Sequence, residues 1–131
     1  MVDTTKAYSS FAAKDIEATR AFFADKLGID ARSLYGGDLL ELNLHDGMRV
    51  LVYPKPDFQP ATFTVLNFPV ADIDAAVDDL TSKGVTMQRY DGFEQDAKGI
   101  QRSDGQGPDI AWFTDPNGNV IAIHSDEPPP A

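Results

Sequence analysis

Two stretches of this chain carry apolar residues at helical spacing. In the later stretch they recur at i, i+3, i+4 and i+7, which forms one apolar stripe along a helix: Ile73, Ala76, Val77 and Leu80. In the earlier stretch the equivalent residues are Ile16, Phe22, Phe23 and Leu27. Both stretches are therefore predicted to be helices that bury one face.

The two predicted helices begin and end with matching signals. The opening segments are Asp15-Ile16-Glu17-Ala18 and Asp72-Ile73-Asp74-Ala75. Aspartate is a preferred N-cap residue, because its carboxylate accepts hydrogen bonds from the free N–H groups of the first turn. Gly28 and Gly84 follow the apolar stripes, where a left-handed residue commonly ends a helix. The repetition predicts two diverged copies of one structural unit.

Period-two alternation predicts the strands. Extended stretches over 6–12 and 61–70 precede the two helices. Leucines alternate with other residues over 39–45, and Asp46-Gly47 is a tight-hairpin dipeptide before a return strand over 48–53. In the second copy, strands are predicted over 110–114 and 120–125. They are joined by Asp115-Pro116-Asn117-Gly118-Asn119, in which Pro presets φ and Asn-Gly supplies positive φ.

Three segments show neither periodicity. Residues 55–60 are predicted to link the two copies. Residues 91–108 are rich in Gly, Asp and Gln with almost no apolar content. They are predicted to form a long mobile loop, a type of segment that often acts as a lid or binding loop. Residues 126–131 contain three prolines and are predicted to be a disordered tail.

Composition narrows the class of protein. The 131 residues suit one compact domain, 1–131. The absence of cysteine excludes disulfides and thiolate sites and fits a reducing compartment, so a cytoplasmic protein is predicted. Neither a signal peptide nor a membrane span is visible. The net charge of −10 leaves no basic stripe for nucleic acid. The acidity serves solubility, or it attracts cations to a cavity.

The order of these motifs resembles the vicinal oxygen chelate superfamily, which includes glyoxalase I, bleomycin-resistance proteins and extradiol dioxygenases. The resemblance covers residues 6 to about 125. It depends on the paired Asp-Ile-acid-Ala segments and on the Asp-Pro-Asn-Gly-Asn turn before the final strand. It implies an α+β fold of two βαβββ modules, 6–54 and 61–125. Their eight strands would form a curled mixed sheet around a shared cavity, with the helices on the outer face.

Enzymes of this superfamily hold a divalent metal with four side chains that project into the cavity, usually histidine or glutamate. Transferred by position, the four sites fall on Tyr8, Val52, Val65 and Ala122. Three of these side chains have no donor atom, and a neutral tyrosine is a poor ligand, whereas a catalytic metal normally has three protein ligands. The resemblance therefore implies no metal and no cofactor. Tyr8 can instead stack on a ligand, donate a hydrogen bond, or pack in the core.

Other side chains are candidates for contact with a ligand. His124 shares the parity of Ala122 on the final strand. It is either a hydrogen-bond partner or base for the ligand, or a residue at the cavity rim. Asn67 shares the parity of Val65 and presents an amide, or it caps a turn. Trp112, the only tryptophan, lines the cavity or packs in the core. The predicted ligand-binding set is Tyr8, Val52, Val65, Asn67, Trp112, Ala122 and His124.

The leading hypothesis is a metal-free small-molecule binding protein, acting as a homodimer with an apolar and aromatic pocket. Drug-sequestering members of the superfamily lack metal ligands and bind cationic glycopeptides on acidic surface, so antibiotic sequestration is one form of this function. No catalytic residue is predicted. The alternative is a lyase, isomerase or dioxygenase with a displaced metal site, or with His124 and Tyr8 as acid–base groups. A structural or regulatory protein is the third class.

Overall fold

A computed structural model of the protein describes residues 1–126. The chain divides into two units, Met1–Pro60 and Ala61–Ala131. Asp126 follows the last strand, and its N–H donates to the Val70 carbonyl oxygen at 3.0 Å. The remainder of the predicted tail, 127–131, lies outside the described residues. Over residues 1–126, no helix has the length and apolar character needed to cross a membrane.

The first unit contains one helix and a four-stranded mixed sheet. Its elements are β1 (Ser9–Ala13), α1 (Ile16–Leu27), β2 (Asp30–Leu34), β3 (Leu39–Asn43) and β4 (Arg49–Pro54). The strand order is β1-β4-β3-β2, with β1 parallel to β4 and the other pairs antiparallel. The predicted tight turn joins β3 to β4. Asp46 and Gly47 have φ angles of 59° and 76°, positive as this class of hairpin turn requires.

One face of the four-stranded sheet forms the core of the first unit. Val52 of β4 pairs with Phe11 of β1 and with Leu40 of β3, so the three side chains share this face. Val52 and Leu40 are fully buried. Helix α1 contacts β2, β3 and β4, and the ring of Phe23 lies 6.3 Å from that of Phe11. Removal of these apolar side chains from water is the main favourable contribution to folding.

The second unit contains one helix and a three-stranded mixed sheet. Its elements are β5 (Thr64–Val70), α2 (Ile73–Ser82), β6 (Ile110–Thr114) and β7 (Val120–Ser125). The strand order is β5-β7-β6, with β5 parallel and β6 antiparallel to β7. The last two strands have the bounds that the sequence predicted. Asp115 organises their turn, because its Oδ1 accepts from the N–H groups of Asn117 and Asn119 at 2.9 Å each.

The two faces of the three-stranded sheet differ in burial. Ile121 and Phe113 pair across β7 and β6, and both are fully buried. Helix α2 contacts β7, and Val77 on its apolar stripe is also buried. The opposite face carries the alternate pair, Ala122 and Trp112. The first face is occupied by core packing, whereas the second carries the half-buried indole of Trp112.

The structure confirms the α+β class, with two helices and two mixed sheets, but not the single curled sheet of eight strands. Residues 1–126 form seven strands, in sheets of four and three. The counterpart of β2 is missing from the second unit, where Gln101 makes an isolated bridge to Ile110. The physical reason is that this segment lacks apolar alternation. In addition, Gly92 and Gly99 both adopt a φ of 87°, which turns the chain out of an extended path.

A β-bulge interrupts β5 at Val65. Thr64 and Leu66 pair with consecutive residues of β7, so Val65 is an extra residue without a partner in the ladder. Simple alternation had assigned Val65 and Asn67 to one face. The ladder instead places Thr64 and Asn67 on the same face, because the bulge changes the parity between them.

Both helices are capped as the sequence predicted. The carboxylate of each N-cap aspartate accepts from the backbone N–H three residues later, at 2.9 Å for Asp15 and 3.0 Å for Asp72. Gly28 ends α1 in the left-handed conformation, with φ 67° and ψ 26°. Gly84 follows α2 with a φ of 88°. The repeated sequence signals therefore correspond to repeated local structure.

We expect Asp72→Ala to lower the free energy of unfolding by about 1 kcal/mol, because it removes the acceptor for the N–H of Ala75. Urea denaturation followed by far-UV circular dichroism measures the change. Asp38→Ala is the matched control, since Asp38 is an exposed aspartate in a turn, and its effect should stay within about 0.5 kcal/mol. Equal losses in the two variants would contradict the capping role.

Candidate ligand-binding site

The second unit has a cleft of about 300 Å³ on the sheet face that carries Trp112. Its lining residues come from β5 and the residues before it, from β6 and β7, and from the segment after α2. They are Thr62, Phe63, Thr64, Tyr90, Asp91, Phe93, Trp112 and Val120. Four of them are aromatic, and they come from three regions that are far apart along the chain. The cleft is therefore a product of tertiary structure.

Tyr90, Phe93 and Trp112 form a closed triangle of rings. The ring centroids of Tyr90 and Trp112 are 5.6 Å apart with an interplanar angle of 82°, and those of Tyr90 and Phe93 are 5.9 Å apart at 72°. These are edge-to-face contacts, which aromatic rings favour. Phe93 and Trp112 are 5.4 Å apart at 37°. Phe93 is 47% exposed and Phe63 is 69% exposed, so the cleft presents open aromatic surface.

Backbone hydrogen bonds bring the three rings together. Trp112 lies in the middle of β6 beside Ala122, a residue small enough to leave room for the indole over β7. The carbonyl oxygen of Trp112 accepts from the N–H of Gln88 at 2.7 Å, which ties the segment after α2 to β6. Tyr90 follows, and its carbonyl oxygen accepts from the N–H of Phe93 at 3.2 Å. This turn brings Phe93 back to Trp112.

Four of the eight lining residues carry a polar oxygen atom in the side chain. Asp91 is exposed and supplies a negative charge beside Tyr90. Burial raises the pKa of the Tyr90 hydroxyl, so this group is neutral at physiological pH and remains a hydrogen-bond donor. Thr62 and Thr64 add hydroxyl groups. This combination is suited to stacking against a flat apolar group and offers no activated nucleophile.

Trp112 is the residue of the predicted set that lines this cleft. Ala122 and Asn67 lie beside it across the sheet, since Ala122 pairs with both Trp112 and Asn67. Ala122 is 2% exposed, whereas Asn67 is exposed. Val65 is half-buried at the bulge in β5. The structure therefore brings three predicted residues into one row and separates Val65 from that row.

Of the other three predicted residues, one belongs to the second unit and two belong to the first. His124 is half-buried on β7, and its Nδ1 lies 2.8 Å from the carbonyl oxygen of Ser125. Tyr8 precedes β1 in the first unit, with the guanidinium carbon of Arg49 4.7 Å from its ring centroid, a cation–π contact. Val52 is fully buried in the core of the first unit. It therefore has no surface to offer a ligand.

The family of the chain follows from comparison of its sequence with protein families. The family model described as the Glyoxalase/Bleomycin resistance protein/Dioxygenase superfamily matches residues 7–123. The chain belongs to this superfamily. The match covers both units and confirms the resemblance found in the repeated motifs. No curated protein matches the chain.

Solved structures share the superfamily fold over almost the whole chain. TnmS3, an antibiotic binding protein from Streptomyces sp. CB03234, is 20% identical and has a TM-score of 0.65, covering 96% of this chain and 100% of its own. A glyoxalase/dioxygenase from Nostoc punctiforme is 16% identical (TM-score 0.65, covering 97% and 99%). The fosfomycin resistance protein FosX from Listeria monocytogenes is also 16% identical (TM-score 0.67, covering 97% and 96%). At these identities the similarity establishes the fold alone.

The residues that the resemblance assigns to the superfamily's metal positions do not fit a divalent cation. Val52, Val65 and Ala122 carry no donor atom. The ring of Tyr8 already faces the positive charge of Arg49. Within residues 1–126, no group of three or more His, Cys, Asp or Glu side chains is arranged to hold a metal ion. No step that needs a metal is therefore assigned to this superfamily member.

Sequence reasoning missed three aromatic residues of the cleft, Phe63, Tyr90 and Phe93. Tyr90 and Phe93 flank an Asp-Gly dipeptide, a turn signal that indicates two rings close together. The prediction for 91–108 stressed its polar composition and a mobile loop. Ile100 within it is nevertheless fully buried, and the polar side chains around it form hydrogen bonds to the segment itself. The structure gives this segment a defined set of contacts.

Arg102 connects this segment to α2 and to Asp109, the residue before β6. Its Nη2 lies 2.8 Å from Asp74 Oδ1 and 2.9 Å from Asp96 Oδ2, and its Nη1 lies 3.3 Å from Asp109 Oδ2. The Arg102 hydrogen bond lowers the pKa of Asp74. Hydrogen bonds from the Ser103 backbone and hydroxyl, and then from Arg102, lower the pKa of Asp109 against the effect of desolvation. For Asp96, desolvation raises the pKa, but hydrogen bonds from backbone N–H groups and Arg102 outweigh it.

Arg102 and its three carboxylate partners, Asp74, Asp96 and Asp109, form one ion-pair cluster. We expect the contribution of this cluster to the stability of the fold to disappear in acid. The carboxyl pKa values are lowered in the folded state, so the contribution is complete above about pH 4, the ordinary value for aspartate, and is lost as the pH falls through the lower folded values. Arg102→Gln should lower the free energy of unfolding at neutral pH and flatten its decline below about pH 4. Urea denaturation at a series of pH values measures both effects.

The control for this experiment is Arg32→Gln, which breaks the exposed ion pair between Arg32 and Asp30 in the first unit. Exposed isolated pairs contribute little, so its stability should follow the wild-type pH dependence. An Arg102→Gln curve parallel to that of the wild type would contradict the coupling of Arg102 to the three carboxylates.

Proposed function

We propose that this superfamily member is a metal-free binding protein for a small molecule with a flat aromatic ring system. The observation that carries the proposal is the triangle of Tyr90, Phe93 and Trp112, which leaves aromatic surface open in a cleft. A bound ring would cover this surface and gain both burial and stacking. The volume of about 300 Å³ is at the low end of the range for ligand pockets, which favours one compact ring system over a large ligand.

Charge supports a cationic ligand. The chain carries a net charge of −10, and Asp91 places a carboxylate at the aromatic cleft. A cation is attracted to the acidic surface at long range and to the π faces at short range. Drug or antibiotic sequestration is the form of binding that we propose. The antibiotic-binding protein TnmS3 and the fosfomycin resistance protein FosX share the fold.

The cleft favours binding over the enzymatic alternative. That alternative used Tyr8 and His124 as acid–base groups, and His124, which belongs to the same unit as the cleft, is not among the lining residues. We extend the proposal to a homodimer in the cytoplasm, on the basis of the superfamily resemblance and the absence of cysteine. A monomer mass in light scattering would contradict the dimer, and recovery of the protein outside the cell would contradict the location.

Phe93→Ala should weaken the binding of a planar aromatic probe about tenfold, because it removes the most open ring of the triangle. The probes are proflavine, a planar tricyclic cation at neutral pH, and acridone, a neutral ring system of similar size. Isothermal titration calorimetry measures the dissociation constants. Tyr35→Ala is the control, since Tyr35 is 78% exposed in the first unit, and it should leave them unchanged. No saturable binding of either probe to the wild type would overturn the proposed function.

Asp91→Asn should weaken proflavine binding by about two- to fivefold and leave acridone binding unchanged. The expected size reflects one exposed charge pair, which contributes less than about 1 kcal/mol. Added salt should reduce the difference between the two proteins, because it screens exposed charges. Asp38→Asn removes an exposed carboxylate in the first unit and serves as the control. Equal losses for both probes would show that Asp91 acts by packing and not by charge.

A further inference from the structure

We propose that the side-chain amide of Gln95 is a positioning group for the aromatic cleft and sets the affinity of the cleft for its ligand. The amide joins three backbone groups of the segment between α2 and β6, and so fixes Tyr90 and Phe93 against Trp112. The effect of Gln95 on affinity rests on the proposed binding function, whereas its effect on the ring positions does not.

Gln95 makes one hydrogen bond with its amide oxygen and two with its amide nitrogen. Its Oε1 accepts from the N–H of Tyr90 at 2.9 Å, and its Nε2 donates to the carbonyl oxygens of Gln88 at 2.9 Å and Gly99 at 2.7 Å. The side chain is half-buried. These distances are those of well-formed hydrogen bonds. In a partly buried location, loss of a partner leaves a polar group unsatisfied, which costs more than the hydrogen bond itself contributes.

The amide acts on the cleft through two short paths. Gln88 accepts from Gln95 with its carbonyl oxygen, and its N–H donates to the carbonyl oxygen of Trp112 at 2.7 Å. Tyr90 donates its N–H to Gln95, and its carbonyl oxygen accepts from the N–H of Phe93. Tyr90 is therefore a direct partner of Gln95. Phe93 and Trp112 are each joined by one hydrogen bond to a direct partner of Gln95.

The third partner, Gly99, belongs to a compact turn that holds the amide of Gln95 in place. The Oδ1 of Asp96 accepts from the N–H groups of Lys98 and Ile100 at 2.9 Å each. Ile100 is fully buried and anchors the turn in the core. A Cβ at Gly99 would lie 2.9 Å from the Cβ of Met87, so the turn packs closely against the chain that leaves α2.

Gln95→Glu is the sharpest test, because it keeps the shape and one acceptor oxygen. It removes both donated hydrogen bonds and places a carboxylate oxygen against the carbonyl oxygens of Gln88 and Gly99. Gln106→Glu makes the same chemical change at an exposed position of the same segment and is the matched control. Trp112 is the only tryptophan, so its emission spectrum and its quenching by acrylamide report on the cleft without any ligand.

For Gln95→Glu, we expect a red-shifted Trp112 emission, stronger acrylamide quenching and about a tenfold higher dissociation constant for proflavine. The wild type and Gln106→Glu should agree in all three. Gln95→Met, of similar length and without charge, should show the same changes if Gln95→Glu fails to fold. Far-UV circular dichroism establishes that each variant retains its fold.

Two further variants test the turn that holds the amide of Gln95 in place. Gly99 and Gly105 both have a positive φ, 87° and 83°, but a Cβ at Gly105 would meet no atom within 4 Å. Gly99→Ala should therefore alter Trp112 emission and proflavine binding more than Gly105→Ala does. The backbone strain is common to the two variants, so the difference isolates the displacement of the turn.

The outcomes separate the positioning role from the proposed function. Unchanged Trp112 emission and unchanged proflavine affinity in folded Gln95→Glu and Gln95→Met would overturn the positioning role. A change in emission, together with no probe binding by the wild type, would support the positioning of the rings and overturn the binding function. Loss of stability in Gln95→Glu with wild-type emission and affinity would show that the amide serves folding alone, and would also overturn the proposal.

Discussion

Hydrogen bonds from side chains replace a missing β-ladder in the second unit, and the position of the cleft depends on this replacement. In the first unit, β2 pairs with β3 and satisfies the backbone by regular pairing. In the second unit no strand occupies the equivalent stretch of the described chain, although its backbone N–H and carbonyl groups still need partners. Gln95 and Asp96 supply several of them. The chain is thereby free to turn twice and place aromatic rings over the sheet.

Most of the fold could be predicted because its signals are local. The N-cap aspartates act within one helical turn, and the strands β6 and β7 are fixed by a turn whose residues bond to one another. Two features depend on tertiary structure and leave no local pattern. One is the loss of a strand after α2, where side chains take over the role of a ladder. The other is the bulge at Val65, which alternation cannot reveal because it shifts parity by a single residue.

The candidate site was only partly accessible from the sequence. Trp112 was identified because a large aromatic residue lies on a predicted strand face. Tyr90 and Phe93 were not, because their proximity to Trp112 depends on hydrogen bonds between segments more than twenty residues apart. Val52 was chosen by transfer from a family position, and register with its neighbours places it in the core.

The shared caps and unequal sheets of the two units have an evolutionary consequence. A chain with two copies of one unit can retain regular architecture in one copy and accept irregularity in the other. The first unit has four strands, whereas the second has three, together with a glycine-containing segment that carries Tyr90 and Phe93. Divergence in ligand preference among descendants of such a duplicated gene should therefore accumulate in residues 85–103, with far less change in the four-stranded half.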